Sequence, residues 1–167
     1  MKEAPSPQQI AEACGARMYE LDDAARALGV ALDEIAPGRS RMSMTVRGDM
    51  VNSHGICHGG MIFTLADCAF AYSCNSYNRM TVAAGATIDF VSPVSLGDRL
   101  TAIAEERASS GRTGIYDIRV VDQGQKLIAC FRGRSYRVTG EIVPGLEEAA
   151  DSEASSAPKR TEPGMDR

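Results

Sequence analysis

Over residues 7–28, Ile10, Cys14, Met18, Leu21, Ala25 and Leu28 recur at steps of three or four. That spacing predicts an amphipathic helix, with Pro7 suited to its first turn and Gly29 to its stop. The period then changes to two. Met42, Met44 and Val46 alternate with polar or charged neighbours, so strands are expected at about 30–35 and 39–47, turning at Pro37-Gly38. A stretch rich in turn formers, 48–57, leads to His58-Gly59-Gly60 and then to residues 61–78. That last run has no Pro or Gly and is apolar or small nearly all round, which predicts a buried helix of about five turns.

Further strands are expected at about 80–91, 98–109, 114–122 and 126–138, separated by Ser92-Pro93, Leu96-Gly97, Ser110-Gly111 and Gln123-Gly124. Connections this short should join antiparallel neighbours. The resulting fold class is α+β: a buried helix followed by an antiparallel meander that must curl around it. A chain of 167 residues fits one domain, placed at 1–140. Residues 141–167 carry few large apolar side chains and are expected to form a disordered tail.

Composition narrows the function classes. The net charge of −4 argues against a nucleic-acid partner, which demands a basic footprint. The N-terminus lacks the apolar run of a signal peptide, and no stretch offers the roughly 18 apolar residues of a membrane span. A cytoplasmic protein with no membrane contact is expected. Cys14, Cys57, Cys68, Cys74 and Cys130 form no CxxC pair, and His54 and His58 are the only histidines. No metal site follows, and the thiols should be reduced and mostly buried.

Asp67 stands out. It lies mid-helix between Leu65-Ala66 and Cys68-Ala69, where a carboxylate costs several kcal/mol unless partnered. Local hydroxyls or a buried arginine could supply that partner; catalysis is the other explanation. At the start of the same helix, Gly59-Gly60 places two residues without side chains where backbone N–H groups lack intrahelical acceptors. Such groups can hold an oxyanion, although a glycine pair there more often serves tight packing. From Gly60 to Asp67 is seven residues, or about 10.5 Å of rise. One carbonyl cannot touch both ends of that span. If both serve one reaction, the carboxylate must come from a second, antiparallel copy of the helix, as a two-fold dimer provides.

The strings NSHGICHGGMIFTLADCAFAYSCNS, TIDFVSPVSLGDRLTA, GRTGIYDI and IACFRGRS together resemble the hotdog-fold thioesterases of bacterial phenylacetate degradation, the PaaI type, over about 18–138. The resemblance implies a curled antiparallel sheet wrapped around a central helix, with an extra N-terminal helix. It implies hydrolysis of an acyl-CoA thioester, with (hydroxy)phenylacetyl-CoA or a related aryl-acyl-CoA favoured, by a homo-oligomer that is at least a dimer and expected to be a tetramer. Asp67 would be the catalytic acid and Gly59 the backbone donor to the thioester carbonyl. Asn52 and His58 would place the carbonyl or the attacking water. His58 could act as a general base or, through its ring nitrogens, cap the helix. Coenzyme A, as part of the substrate, would lie along Phe90, Val91, Ser92 and Pro93 and along Gly111, Arg112, Thr113 and Gly114, with Arg112 facing a phosphate. No separate cofactor and no metal is implied. Cys68 departs from the pattern, since relatives commonly carry a hydroxyl there. Two other readings use the same residues: an enoyl-CoA hydratase, and a non-catalytic acyl-CoA sensor.

Overall fold

The computed structural model describes residues 4–146. The elements are α1 (Pro7–Leu21), α2 (Asp23–Leu28), β1 (Ala31–Ala36), β2 (Arg39–Thr45), a 3-10 turn (Gly48–Met50), α3 (Gly59–Cys74), β3 (Thr81–Phe90), β4 (Arg99–Ser110), β5 (Thr113–Val121) and β6 (Leu127–Arg137). The expected N-terminal helix is two helices. Asp22 interrupts it at φ −88°, ψ 79° and caps α2 by accepting from the Ala25 N–H at 3.0 Å. Gly29 then ends α2 in the left-handed region at φ 72°, as its position in the sequence implied.

The six strands form one antiparallel sheet in the order β1-β2-β4-β5-β6-β3. This corrects the expected meander. β3 does not pair with β4, its successor in sequence; it pairs with β6, from Thr81↔Arg137 to Phe90↔Ala129. The eight-residue connection 91–98 crosses the sheet instead. Three strand spacings are roughly 15 Å, and eight extended residues can reach about 27 Å. The crossing is pinned by the buried Val94, whose carbonyl accepts from the Cys57 N–H at 2.9 Å.

The sheet curls around α3. Leu65, Ala66, Ala69, Phe70 and Ser73 are buried, while Met42, Met44, Leu100, Ile118, Ile128 and Phe131 complete the core from the strands. Phe70 stands 5.4 Å from the Tyr116 ring and 6.0 Å from Phe131, with the rings tilted. Removing a buried aromatic of this kind costs about 3–5 kcal/mol. α3 is not buried all round, contrary to its composition: Met61, Phe63, Thr64, Asp67, Cys68 and Ala71 keep partial exposure. The helix also stops at Cys74 rather than near 78. There the Asn75 amide donates to the Ala71 and Thr81 carbonyls and accepts from the Thr81 N–H, each at 2.9 Å, so it replaces the next helical turn.

Residues 141–146, assigned from composition to the tail, are packed. Ile142, Val143 and Leu146 close over Ile10, Cys14 and Tyr77. Asn78, fully buried at φ 61°, fastens them. Its Oδ1 accepts from the Ile142 and Val143 N–H groups at 3.0 and 2.8 Å, and its Nδ2 donates to the Val143 and Leu146 carbonyls at 3.1 and 2.8 Å. Three apolar side chains and one amide suffice where low mean hydropathy suggested none. The remainder of the expected tail, 147–167, lies outside the described residues.

Candidate active site

The N-terminus of α3 opens at the edge of the molecule, held by a loop that its own backbone closes. The His58 N–H donates to the Met50 carbonyl at 2.8 Å, and Val51 bridges to Cys57. Within the loop, Asn52 Oδ1 accepts from the His54 N–H at 2.9 Å and the Ile56 N–H at 3.4 Å. Asn52 Nδ2 has no acceptor among the described residues, so it remains free to donate. His54 is an exposed loop residue whose backbone serves that turn.

The first donors of α3 are not equivalent. His58 is the N-cap: its Nδ1 accepts from the Gly60 N–H at 3.1 Å. With Nδ1 occupied as an acceptor, the neutral ring carries its proton on Nε2. The Met61 N–H turns back to the His58 carbonyl at 2.9 Å. Among the described residues, the Gly59 N–H alone of these three has no acceptor. Gly59 is thus the donor left for a ligand at the positive end of a sixteen-residue helix.

Asp67 lies two turns further on, half-buried beside Cys68. No hydrogen bond or ion pair among the described residues engages its carboxylate, so neither a hydroxyl nor an arginine among them supplies the partner. Burial holds its carboxyl above the usual carboxylate range. The Cys68 thiol is pushed up to about 12 by burial and by the Asp22 and Asp67 charges, so it stays protonated at neutral pH and is no nucleophile. The Tyr72 hydroxyl, fully buried, points to Asp22 Oδ2 at 3.4 Å, which ties the α1–α2 junction to the same helix.

The two segments expected to hold coenzyme A lie at opposite ends of the sheet. Phe90, Val91, Ser92 and Pro93 follow the end of β3 beside the α3 N-terminus, where Phe90 touches Gly59. Gly111, Arg112, Thr113 and Gly114 form the β4–β5 turn, level with Thr81, since the Arg137 N–H donates to the Arg112 carbonyl at 2.7 Å. Nine residues of β3 separate those levels, roughly 30 Å along the strand. Arg112, Arg137 and Arg79 line one small cavity of about 30 Å³ with Tyr77 and Ser135. Neither the Arg112 nor the Arg137 guanidinium has a hydrogen bond or ion pair among the described residues. Arg132, by contrast, is held by Asp117 at 2.7 and 2.9 Å on the outer face. The Arg112–Arg137 pairing was invisible in sequence, because it depends on a hairpin register.

The chain matches known proteins throughout this region. The model of the thioesterase superfamily matches residues 54–129. The acyl-coenzyme A thioesterase PaaI of Escherichia coli is 49% identical over 125 residues, which span 75% of this chain and 89% of that protein. The structure of the E. coli PaaI protein from the phenylacetic acid degradation operon superposes with a TM-score of 0.80 at 46% identity, covering 81% of this chain and 99% of that one. A variant of the phenylacetic acid degradation protein PaaI from Thermus thermophilus gives a TM-score of 0.66 at 37% identity, over 68% of this chain and 97% of that one. No helix among the described residues is long and apolar enough to cross a membrane. The sheet curled around α3 and the likeness to PaaI together place the chain in the hotdog-fold thioesterase superfamily, as a member of its PaaI-type acyl-CoA thioesterases.

Proposed function

We propose that this enzyme hydrolyses a CoA thioester to a free acid and coenzyme A, with Asp67 and the Gly59 N–H serving one carbonyl from two different subunits. The observation that carries the reading is the pairing of two unsatisfied groups on one helix. The Gly59 N–H lacks an acceptor and Asp67 lacks a partner, yet about 12 Å of helix rise separates them. Asp67 attacks the carbonyl carbon to give a mixed anhydride that water then opens, or it takes a proton from the attacking water. By either route a C–O bond replaces the C–S bond, one water is consumed, and the proton ends on the departing thiol. Hydrolysis of this kind needs no redox cofactor and no metal.

The edge of the sheet supports the shared site. β3 is a ten-residue edge strand that carries Val82 at 48% exposure and is followed by Val91 at 55%. A long bare edge with apolar side chains is the kind of surface that pairs with another chain. Two-fold pairing of β3 with its copy would run antiparallel, setting the Phe90–Pro93 end of one subunit beside the Arg112 turn of the other. Both CoA segments would then flank one groove. Asn52 Nδ2 and the His58 ring would orient the carbonyl or the water, and Arg112 would meet a phosphate. A tetramer of two such dimers and a cytoplasmic location, where CoA thioesters are made and consumed, belong to the same reading.

For the acyl group, the identity with PaaI supports phenylacetyl-CoA, its ring-hydroxylated forms or a related aryl-acyl-CoA. A thiol-release assay across aryl-acetyl, benzoyl and straight-chain acyl-CoAs tests this, with Asp67→Asn as control. Release of thiol that is fastest on aryl-acetyl thioesters and lost in Asp67→Asn is the expected result. Binding without thiol release, or full turnover by the variant, would overturn it.

A further inference from the structure

Gly59 has no side chain, and the ring of Phe90 stands where one would be. A Cβ at Gly59 would lie 2.9 Å from Phe90 Cζ, closer than real contacts allow, and 3.3 Å from each Cε, tighter than most, so the ring would have to shift. Gly60 differs: a Cβ there would meet only the His58 ring, at 3.4 Å. Phe90 ends β3 opposite the small residue Ala129, and 54% of its surface is open to solvent.

We infer that Phe90 is a positioning residue for the thioester: its ring occupies the space Gly59 leaves vacant and forms a dry wall beside the Gly59 N–H. This rests on the proposed hydrolase reading, in which that N–H meets the carbonyl oxygen. A donor aimed at developing negative charge is worth more when water is kept from it, because the low local dielectric strengthens the interaction. The ring shields the α-carbon side, and no acceptor among the described residues engages the N–H. Its exposed face is then available to the aliphatic arm of coenzyme A. On this account Gly59 is glycine to seat Phe90, as well as to admit the ligand.

The test is a mutant cycle on the full-length enzyme with an aryl-acetyl-CoA, reading kcat, KM and inhibition by free coenzyme A. Phe90→Ala should lower kcat roughly tenfold, less than the loss of an oxyanion donor itself, and also weaken inhibition by free coenzyme A. Phe90→Leu and Phe90→Tyr should recover most of that loss. Gly59→Ala keeps its N–H but displaces the ring, so it should also lose kcat. The double variant should be no slower than the slower single variant, because the new methyl group enters the space the ring has left. Wild-type kcat in Phe90→Ala, or losses that multiply in the double variant, would overturn the inference. Should Phe90→Ala melt far below wild type, Gly59→Ala at wild-type Tm replaces it as the variant that displaces the ring, and wild-type kcat there would overturn the inference. Asp67→Asn separates the two failures. An inactive Asp67→Asn beside an unaffected Phe90→Ala refutes only the wall, whereas an active Asp67→Asn removes the proposed mechanism on which the wall rests.

Discussion

His58 Nδ1 accepts the Gly60 N–H at 3.1 Å, and by taking that donor it leaves the neighbouring Gly59 N–H as the free one. The bond assigns His58 to the helix cap, not to proton transfer through the same nitrogen. His58→Asn preserves a side-chain acceptor at the N-cap, while His58→Ala removes it at about 0.5–2 kcal/mol. The expected outcome is a lower Tm and a lower kcat in His58→Ala, with much of both restored in His58→Asn. Equal inactivity of the two variants at wild-type Tm would instead make His58 a general base.

Asp67 carries a signature in stability. Burial without a partner raises its carboxyl pKa in the folded protein, so the folded state holds this proton more tightly than the unfolded chain does. The stabilising contribution of the protonated form is complete below the unfolded value of about 3.9 and is lost as pH rises through the higher folded value. Asp67→Asn cannot ionise. Its Tm should exceed wild type by roughly 1–4 °C near neutral pH, and the gap should close as pH falls toward the unfolded value. A variant less stable than wild type at neutral pH would contradict this. The acid limb of kcat should likewise fall above the ordinary carboxylate range, because the reaction uses the ionised form.

Arg112→Ala should raise KM for CoA thioesters, with the effect shrinking as salt increases. It should barely alter a short thioester that lacks the nucleotide. The basis is the cavity that Arg112 shares with Arg137, neither held by a carboxylate among the described residues. Equal losses on both substrates would make Arg112 a structural residue of its hairpin.

A chain ending at Leu146 should melt near the full-length protein, and one ending at Gly140 several degrees lower. The second cut uncovers Ile10 and Tyr77 and leaves the buried Asn78 amide without its four strap partners. Leaving such a group unsatisfied costs about 1–3 kcal/mol. Matching melting curves for the two truncations would show that the strap adds nothing.

Local signals made much of this legible in advance. The switch from helical to alternating periodicity placed the strands, and Gly59-Gly60 with Asp67 marked α3. Non-local relations were not legible. β3 pairs with β6 because the 91–98 connection crosses the sheet, and no residue near it encodes that choice. Asp22 stands at the break in the first helix, where its carboxylate accepts from the Ala25 N–H and the Tyr72 hydroxyl, and the second of these partners is fifty residues away in the chain. The Phe90–Gly59 contact, likewise, joins two elements thirty-one residues apart in the chain. Asp67 was conspicuous for the opposite reason: one charged residue in an apolar run is an anomaly that sequence displays directly.

One carbonyl cannot span about 12 Å of one helix, so on the proposed mechanism each active site draws Asp67 from one subunit and the Gly59 donor from another, and inactive subunits should complement one another. Asp67→Asn and a variant crippled at Asn52, each nearly inactive alone, are mixed and allowed to exchange subunits. A mixed dimer then holds one site with both defects and one with neither. With random pairing half the dimers are mixed, so about one quarter of wild-type activity should return. No recovery at any ratio, once exchange has been demonstrated by mass spectrometry, would place the whole site within one chain and contradict the account.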